Sequence, residues 1–229
     1  DVTLGYASRM NGDSLTNGGT AMWLNASKSE GDWTANLLYV SQTATMADVD
    51  SDAETMMGLD LSYNMMGGDL ALNVGYNTVS GVNGTDNDMD MTSIGATYNV
   101  NESMSISASQ TSYGENGFAV AGSNLGNQYN GVDGYNSWNE TGTLGHLGAN
   151  AKNMSIGGAY NMGDFDLGVT MHTITNDEVD TYERNVMEAS LAYSLSDNAN
   201  LSLMYATDDN RTGAENEETY MYLTLTVRP

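Results

Sequence analysis

The sequence predicts an all-β protein, a closed, antiparallel, up-and-down transmembrane β-barrel of about twelve strands that forms a single domain over residues 1–229. Three observations carry that reading. Segment after segment alternates apolar residues with small or polar ones, the connections between segments alternate between short and long, and the one proline is Pro229.

Alternation with period 2 is the signature of a strand whose two faces meet different surroundings. Leu70, Leu72, Val74 and Tyr76 fall on one side, and Ala71, Asn73, Gly75 and Asn77 on the other. Met57, Leu59, Leu61 and Tyr63 behave the same way, as do Phe165, Leu167, Val169 and Met171. Extended along the chain, the pattern predicts strands over Val2 to Ser8, Thr20 to Ser27, Trp33 to Ser41, Thr55 to Tyr63, Leu70 to Thr78 and Met91 to Asn99. It continues over Met104 to Thr111, Met154 to Asn161, Phe165 to Ile174, Arg184 to Leu195, Ala199 to Thr207 and Thr219 to Val227. At roughly nine residues each, these segments have the length a tilted strand needs to cross hydrocarbon.

The connections then fix the arrangement. Short ones occupy Lys28 to Asp32, Asn64 to Asp69, Val100 to Glu102, Met162 to Asp164 and Ser196 to Asn198. Long ones run from Arg9 to Gly19, Gln42 to Glu54, Val79 to Asp90, Ser112 to Asn153, Thr175 to Glu183 and Asp208 to Glu218. In an up-and-down sheet this places every tight turn at one rim, every long loop at the other, and both chain ends on the tight-turn side. Short periplasmic turns and long outer loops are the layout of outer-membrane barrels.

Composition excludes several classes. Thirty acidic against six basic residues give a formal charge of −24, which repels nucleic acid. Cysteine is absent, so disulfides, thiolate metal sites and thiol nucleophiles are absent with it. No run of eighteen apolar residues exists to make a transmembrane helix. Low hydrophobicity with high charge also suits a disordered chain, but disorder would not sustain the alternation. No leader precedes Asp1, so an exported protein is expected here in its processed form.

Four of the tight turns share a local pattern in which a tyrosine closes one strand and a new alternating strand opens just beyond. They are Leu61 to Leu70, Ala96 to Met104, Gly158 to Phe165 and Leu191 to Ala199. Tyr63, Tyr98, Tyr160 and Tyr193 should then share one depth at one membrane interface, as in an aromatic girdle. In these hairpins, most closely in Ala192 to Leu203, the chain resembles the Gram-negative porins, whose turns read as a tyrosine, an Asn or Asp, a Leu-Ser-like pair and a new strand. The resemblance implies a channel in the bacterial outer membrane, partnered by the lipid bilayer and lipopolysaccharide, passing small hydrophilic solutes and compatible with a homo-oligomer. Porins of the general trimeric type carry about sixteen strands, a constriction loop after the fifth, an arginine ladder and a terminal aromatic residue. Here the longest loop follows the seventh strand, basic residues are few, and the chain shown ends Leu225-Thr-Val-Arg-Pro229.

Side chains expected to line a pore are Asn25, Asp60, Asn73, Asp166, His172 and Glu188, set among Gly, Ser and Thr. Acidic residues crowd the long loops, including Asp48, Asp50 and Asp52, then Asp86, Asp88 and Asp90. Asp-x-Asp-x-Asp spacing offers several hard oxygen ligands, so Ca²⁺ is the ion such loops would take, although a merely solvated acidic surface is the simpler account of them. A negative mouth also favours cations over anions. The Ser112 to Asn153 loop, with Tyr113, Tyr129, Tyr135 and Trp138, is long enough to act as a plug, a constriction or a contact surface. With two histidines and no cysteine the chain is not expected to be an enzyme, and the sixteen methionines fall mostly on the apolar side of strands. The alternative to a channel is a structural surface protein whose β-rich subunits assemble into a lattice, sheath or filament through the acidic loops.

Overall fold

The computed structural model describes residues 1–9, 18–46, 49–50, 54–81, 88–117, 149–178, 183–196, 198–210 and 216–227. Thirteen strands are present: β1 Val2–Arg9, β2 Gly18–Glu30, β3 Trp33–Met46, β4 Val49–Asp50, β5 Glu54–Met65, β6 Leu70–Ser80, β7 Met89–Asn101, β8 Met104–Tyr113, β9 Ala151–Met162, β10 Phe165–Asn176, β11 Glu183–Ser196, β12 Ala199–Asn210 and β13 Asn216–Val227. Twelve are long, and the two-residue β4 pairs only with the end of β3. Neighbours in sequence are neighbours in the sheet, every pair antiparallel, from β1 to β13. All twelve expected strands are found. Several extend further than expected toward the long loops, β3 reaching Met46 instead of Ser41. The ladder continues there past the end of the outward apolar row, because backbone pairing does not depend on an apolar face.

Register keeps the two faces separate around the whole sheet. Leu61 stands opposite Val74, Leu72 opposite Ala96, Tyr98 opposite Ile106, Leu167 opposite both Tyr160 and Leu191, and Leu203 opposite Leu223. These apolar side chains are uncovered: Ile94 is 60 % exposed, Met171 58 % and Leu223 69 %. A continuous apolar surface of this extent is untenable in water and is what hydrocarbon requires. On β10 the row runs Phe165, Leu167, Val169, Met171 and then turns to Thr173 and Thr175; on β6 it runs Leu70, Leu72, Val74, Tyr76 and then Thr78 and Ser80. Four outward positions span about 20 Å along a strand, suited to a thin outer membrane.

The tight-turn rim carries the expected aromatics and two more. Trp33 lies opposite Tyr63 and stacks on it at 4.2 Å between ring centroids, and Phe165 lies opposite Tyr193 and stacks at 4.4 Å. Cross-strand aromatic pairs add stability beyond their buried area and hold the rings at one depth. Tyr98 and Tyr160 complete the row on the same face.

Two features of the structure go beyond the sequence reading. The sheet was expected to be closed, yet among the described residues no ladder joins β1 to β13, and the sheet runs open from one to the other. Every other pair of neighbouring strands is brought together by a connection of the chain, whereas β1 and β13 stand at opposite ends of the sequence. Pairing them would be the most non-local contact in the fold, and no hairpin enforces it.

The second face was expected to carry pore-lining polar residues among Gly, Ser and Thr. It is so only toward the tight-turn rim. Toward the long loops, Met56 and Val79 pack with Leu38, Val40, Met89, Met91 and Tyr113, and further round the sheet Ala151, Ile174, Val186 and Ala206 are buried. That end of the face is dry, and water-facing side chains are confined to the other.

Adjacent positions on β8 test which face meets lipid. Ile106→Arg should destabilise the protein by about 2–4 kcal/mol in denaturant unfolding from lipid bilayers, while Ser107→Arg on the opposite face should cost under about 1 kcal/mol. Equal losses would contradict the assignment of faces.

Candidate functional site

All six residues expected to line a pore lie on the face opposite the apolar belt. Asn25 is in register with Leu38, Asp60 with Asn36 and Gly75, Asn73 with Ser62 and Gly95, Asp166 with Asn161 and Ala192, His172 with Ser155 and Val186, and Glu188 with Thr170 and Ala206. Alternation on each strand and antiparallel pairing between strands suffice to bring them there. They divide by depth into an exposed group near the tight turns and a part-buried pair, His172 and Glu188, nearer the long loops, where fully buried residues join it.

The exposed group is Asn25, Asp60, Asn73 and Asp166. Ser62 Oγ donates to Asn73 Oδ1 at 2.5 Å, and Asn161 Nδ2 donates to Asp166 Oδ1 at 2.6 Å. Gly75 matters here because it leaves room for its neighbours. A Cβ at that position would stand 2.5 Å from Ser93 Oγ and 2.8 Å from Asp60 Oδ1, so glycine allows side chains from both flanking strands to lie across the wall. Gly5 does the same at β1, where the Trp23 indole occupies the space a side chain would need. Round β7 to β10 the wall is hydroxyl-rich, with Ser109 and Ser155 hydrogen-bonded through their Oγ atoms at 2.7 Å.

The buried group is built on β9 to β12. His172 Nδ1 lies 3.1 Å from Asn153 Nδ2 and 3.3 Å from Asn153 Oδ1, and its Nε2 is 3.7 Å from Glu188 Oε2. The side chains of His172 and Glu188 are only 12 % and 14 % exposed. Beside them, Arg184 holds Asp208 through two parallel contacts, Nε to Oδ1 at 2.7 Å and Nη2 to Oδ2, with both side chains fully buried. The planar guanidinium matches the carboxylate in this forked geometry, which is stronger than a single charged contact.

The sequence pointed to neither Arg184 nor Asp208 as part of the site. Arg184 opened a strand, and Asp208 stood at the head of an acidic loop. The pair depends on Asp208 lying opposite Val186, two residues along β11 from Arg184, and that register is invisible before the strands are aligned. A lone arginine entering a strand in a chain so poor in basic residues was the available clue.

Of the six expected calcium ligands, only Asp88 and Asp90 have described side chains. Asp48, Asp52 and Asp86 lie outside the described residues, and Asp50 is described only as backbone in β4. Asp88 accepts a hydrogen bond at its carbonyl from Asn116 Nδ2 at 2.8 Å, and Asp90 is in register with Thr78, on the belt side of the sheet. Among the described residues no three His, Asp or Glu side chains are grouped to hold a metal ion. Of the Ser112 to Asn153 loop, residues 118–148 lie outside the described residues, and the plug, constriction and contact readings fall there together with Tyr129, Tyr135 and Trp138. The flanks are ordered by backbone contacts: Gly114 N–H donates to Asp90 O at 3.0 Å, and Asn150 N–H donates to Gly114 O at 2.9 Å.

Removing one partner of a buried ion pair strands the other charge. Asp208→Asn or Arg184→Gln should therefore cost about 3–5 kcal/mol in unfolding experiments, while the joint replacement Arg184→Met with Asp208→Leu should recover most of the loss. A single variant as stable as the parent would show that the pair is hydrated.

Known proteins can be set beside this geometry. A family model for the Gram-negative porins matches residues 103–226, more than half of the chain. Among solved structures the fold is similar to that of OccK11 (OpdR) of Pseudomonas aeruginosa, with a TM-score of 0.60 and 14 % identity over 99 % of this chain and 66 % of that one. It is similar too to the outer membrane channel DcaP of Acinetobacter baumannii, with a TM-score of 0.56 and 11 % identity over 96 % and 67 % of the two chains. The NanC porin aligns with a TM-score of 0.49 and 12 % identity over 100 % of this chain and 99 % of that one. No curated protein matches by sequence. With the lipid-facing belt, the aromatic rim and the family match all in place, this chain belongs to the Gram-negative porins, β-barrel channels of the bacterial outer membrane through which solutes diffuse.

Proposed function

We propose that the channel carries small hydrophilic solutes by passive diffusion and prefers cations to anions. One observation carries the preference: among the described residues, the exposed charged side chains on the pore-side wall are carboxylates. Asp60 and Asp166 are exposed there among neutral Ser, Thr, Asn and Gly side chains, and Glu188 adds a carboxylate nearer the loops. Arg184 shares the wall, but its guanidinium is held by Asp208. A low-dielectric wall of one sign focuses its field into the aqueous path and concentrates counter-ions. The net charge of −24 acts in the same direction at the mouth. The acidic loops would equally suit a lattice-forming surface subunit, and membership of the porin family weighs against that reading.

A planar bilayer held in a KCl gradient provides the test. Purified protein should give discrete conductance steps with a reversal potential of the sign expected for potassium selectivity. Selectivity should shrink toward 1 M salt, where the Debye length falls to about 3 Å. Asp60→Asn with Asp166→Asn should lower the potassium-to-chloride permeability ratio by roughly two- to fourfold, from Coulomb terms of a unit charge about 10 Å away in water. An anion-selective channel would refute the preference, and a protein that never conducts would refute the channel.

A further inference from the structure

Asp60 and Asp166 are both exposed on the wall, but only one of them is engaged. Asp166 Oδ1 accepts from Asn161 Nδ2 at 2.6 Å. Among the described residues Asp60 has no ion pair and no side-chain hydrogen bond, and its Oδ1 lies over Gly75 of β6, 2.8 Å from the point where a Cβ would stand. Ser93 Oγ reaches the same point from β7, at 2.5 Å. We propose that this notch over Gly75 binds the primary ammonium group of a passing solute, with Asp60 and Ser93 as its two acceptors. The inference rests on the channel reading and names a solute class for it.

Register brings the two oxygens together. Asn36, Asp60, Gly75, Ser93 and Thr111 form one row across the wall from β3 to β8. The row holds a single charge, and its other side chains are neutral. An ammonium carries three N–H donors and accepts nothing, so it suits two oxygens that converge on one gap. Two acceptors that share an ammonium stand no more than about 6 Å apart. Atoms lying 2.5 Å and 2.8 Å from a common point meet that condition. The contact to the carboxylate is charge-assisted and therefore the stronger of the two. A field charge attracts any cation, whereas this geometry selects one with N–H donors.

The notch also stands at a boundary along the wall. One row nearer the loops, Asn77 Oδ1 lies 2.5 Å from the equivalent point over Gly58, but Asn77 is only 4 % exposed. Met56 and Val79 follow, and both are buried. On this pair of strands the row of Asp60 and Gly75 is thus where exposed wall meets dry wall.

The experiment records the potassium current of the full chain in planar bilayers at about 0.1 M KCl while ethylammonium chloride or tetramethylammonium chloride is added. Both ions carry one positive charge, and only ethylammonium has N–H donors. Ethylammonium should halve the current at a concentration about tenfold lower, the effect of a hydrogen bond to a charged group. Asp60→Asn should raise its half-blocking concentration about tenfold, and Ser93→Ala about threefold. Gly75→Ala keeps the carboxylate but fills the notch, and the new methyl meets side-chain oxygens instead of backbone. It should raise the concentration about tenfold as well. Asp166→Asn, which removes a charge outside the notch, should change it by no more than about twofold. Equal block by the two ions overturns the site and leaves the channel reading intact. So does an ethylammonium block that is unchanged in Asp60→Asn and Gly75→Ala. A chain that never conducts overturns both, and the comparison of the two ions on the parent decides the matter if a variant fails to insert.

Discussion

Inside hydrocarbon no water is available to a backbone amide, so each N–H and C=O must find its partner within the protein. For strands the only partners are neighbouring strands, and the continuous antiparallel ladder from β1 to β13 is the consequence. Once pairing is obligatory, register follows, because a slip by one residue would turn every Leu and Met of a strand away from lipid. Register in turn delivers the wall: the side chains opposite the belt arrive together without any contact of their own to specify them. The one place where the constraint is unmet is the seam. Both edges there expose apolar rows, Val2, Leu4 and Tyr6 on β1 and Met221, Leu223, Leu225 and Val227 on β13. A lipid environment acts on those edges more strongly than on any interior strand.

The fold was legible to the degree that it is written in period 2. All twelve long strands, the alternation of turns and loops and the four turn tyrosines could be read from the chain, since each depends on neighbours in sequence. Trp33 and Phe165 were not recognised as girdle members because they follow the turn, and their partners Tyr63 and Tyr193 are supplied by the adjacent strand. The same limit hid Arg184 and Asp208. Cross-strand pairs are a property of register, and register has no local signature. The dry loop end of the wall was missed for another reason: apolar residues such as Val79, Ile174 and Val186 interrupt the polar side of their strands only where the membrane pattern is already fading.

The division of the wall by depth has a physical logic. Toward the tight turns the wall is hydrated, and exposed carboxylates at Asp60 and Asp166 act through water, where a unit charge is heavily screened. Toward the loops the charges are few but dry, so each acts with less screening and must be matched more carefully. Arg184 and Asp208 meet that requirement by a forked contact, and His172 and Glu188 lie beside them with Nε2 and Oε2 3.7 Å apart.

Stability alone would favour apolar side chains at this depth, since replacing buried ionic groups by packed apolar ones is often neutral or stabilising. Val186 and Ala206 sit directly across the ladder from His172 and Glu188, so apolar side chains are accommodated there. Packing therefore does not explain the charged side chains of β10 to β12, and their place on the face opposite the lipid belt ties them to the aqueous path instead.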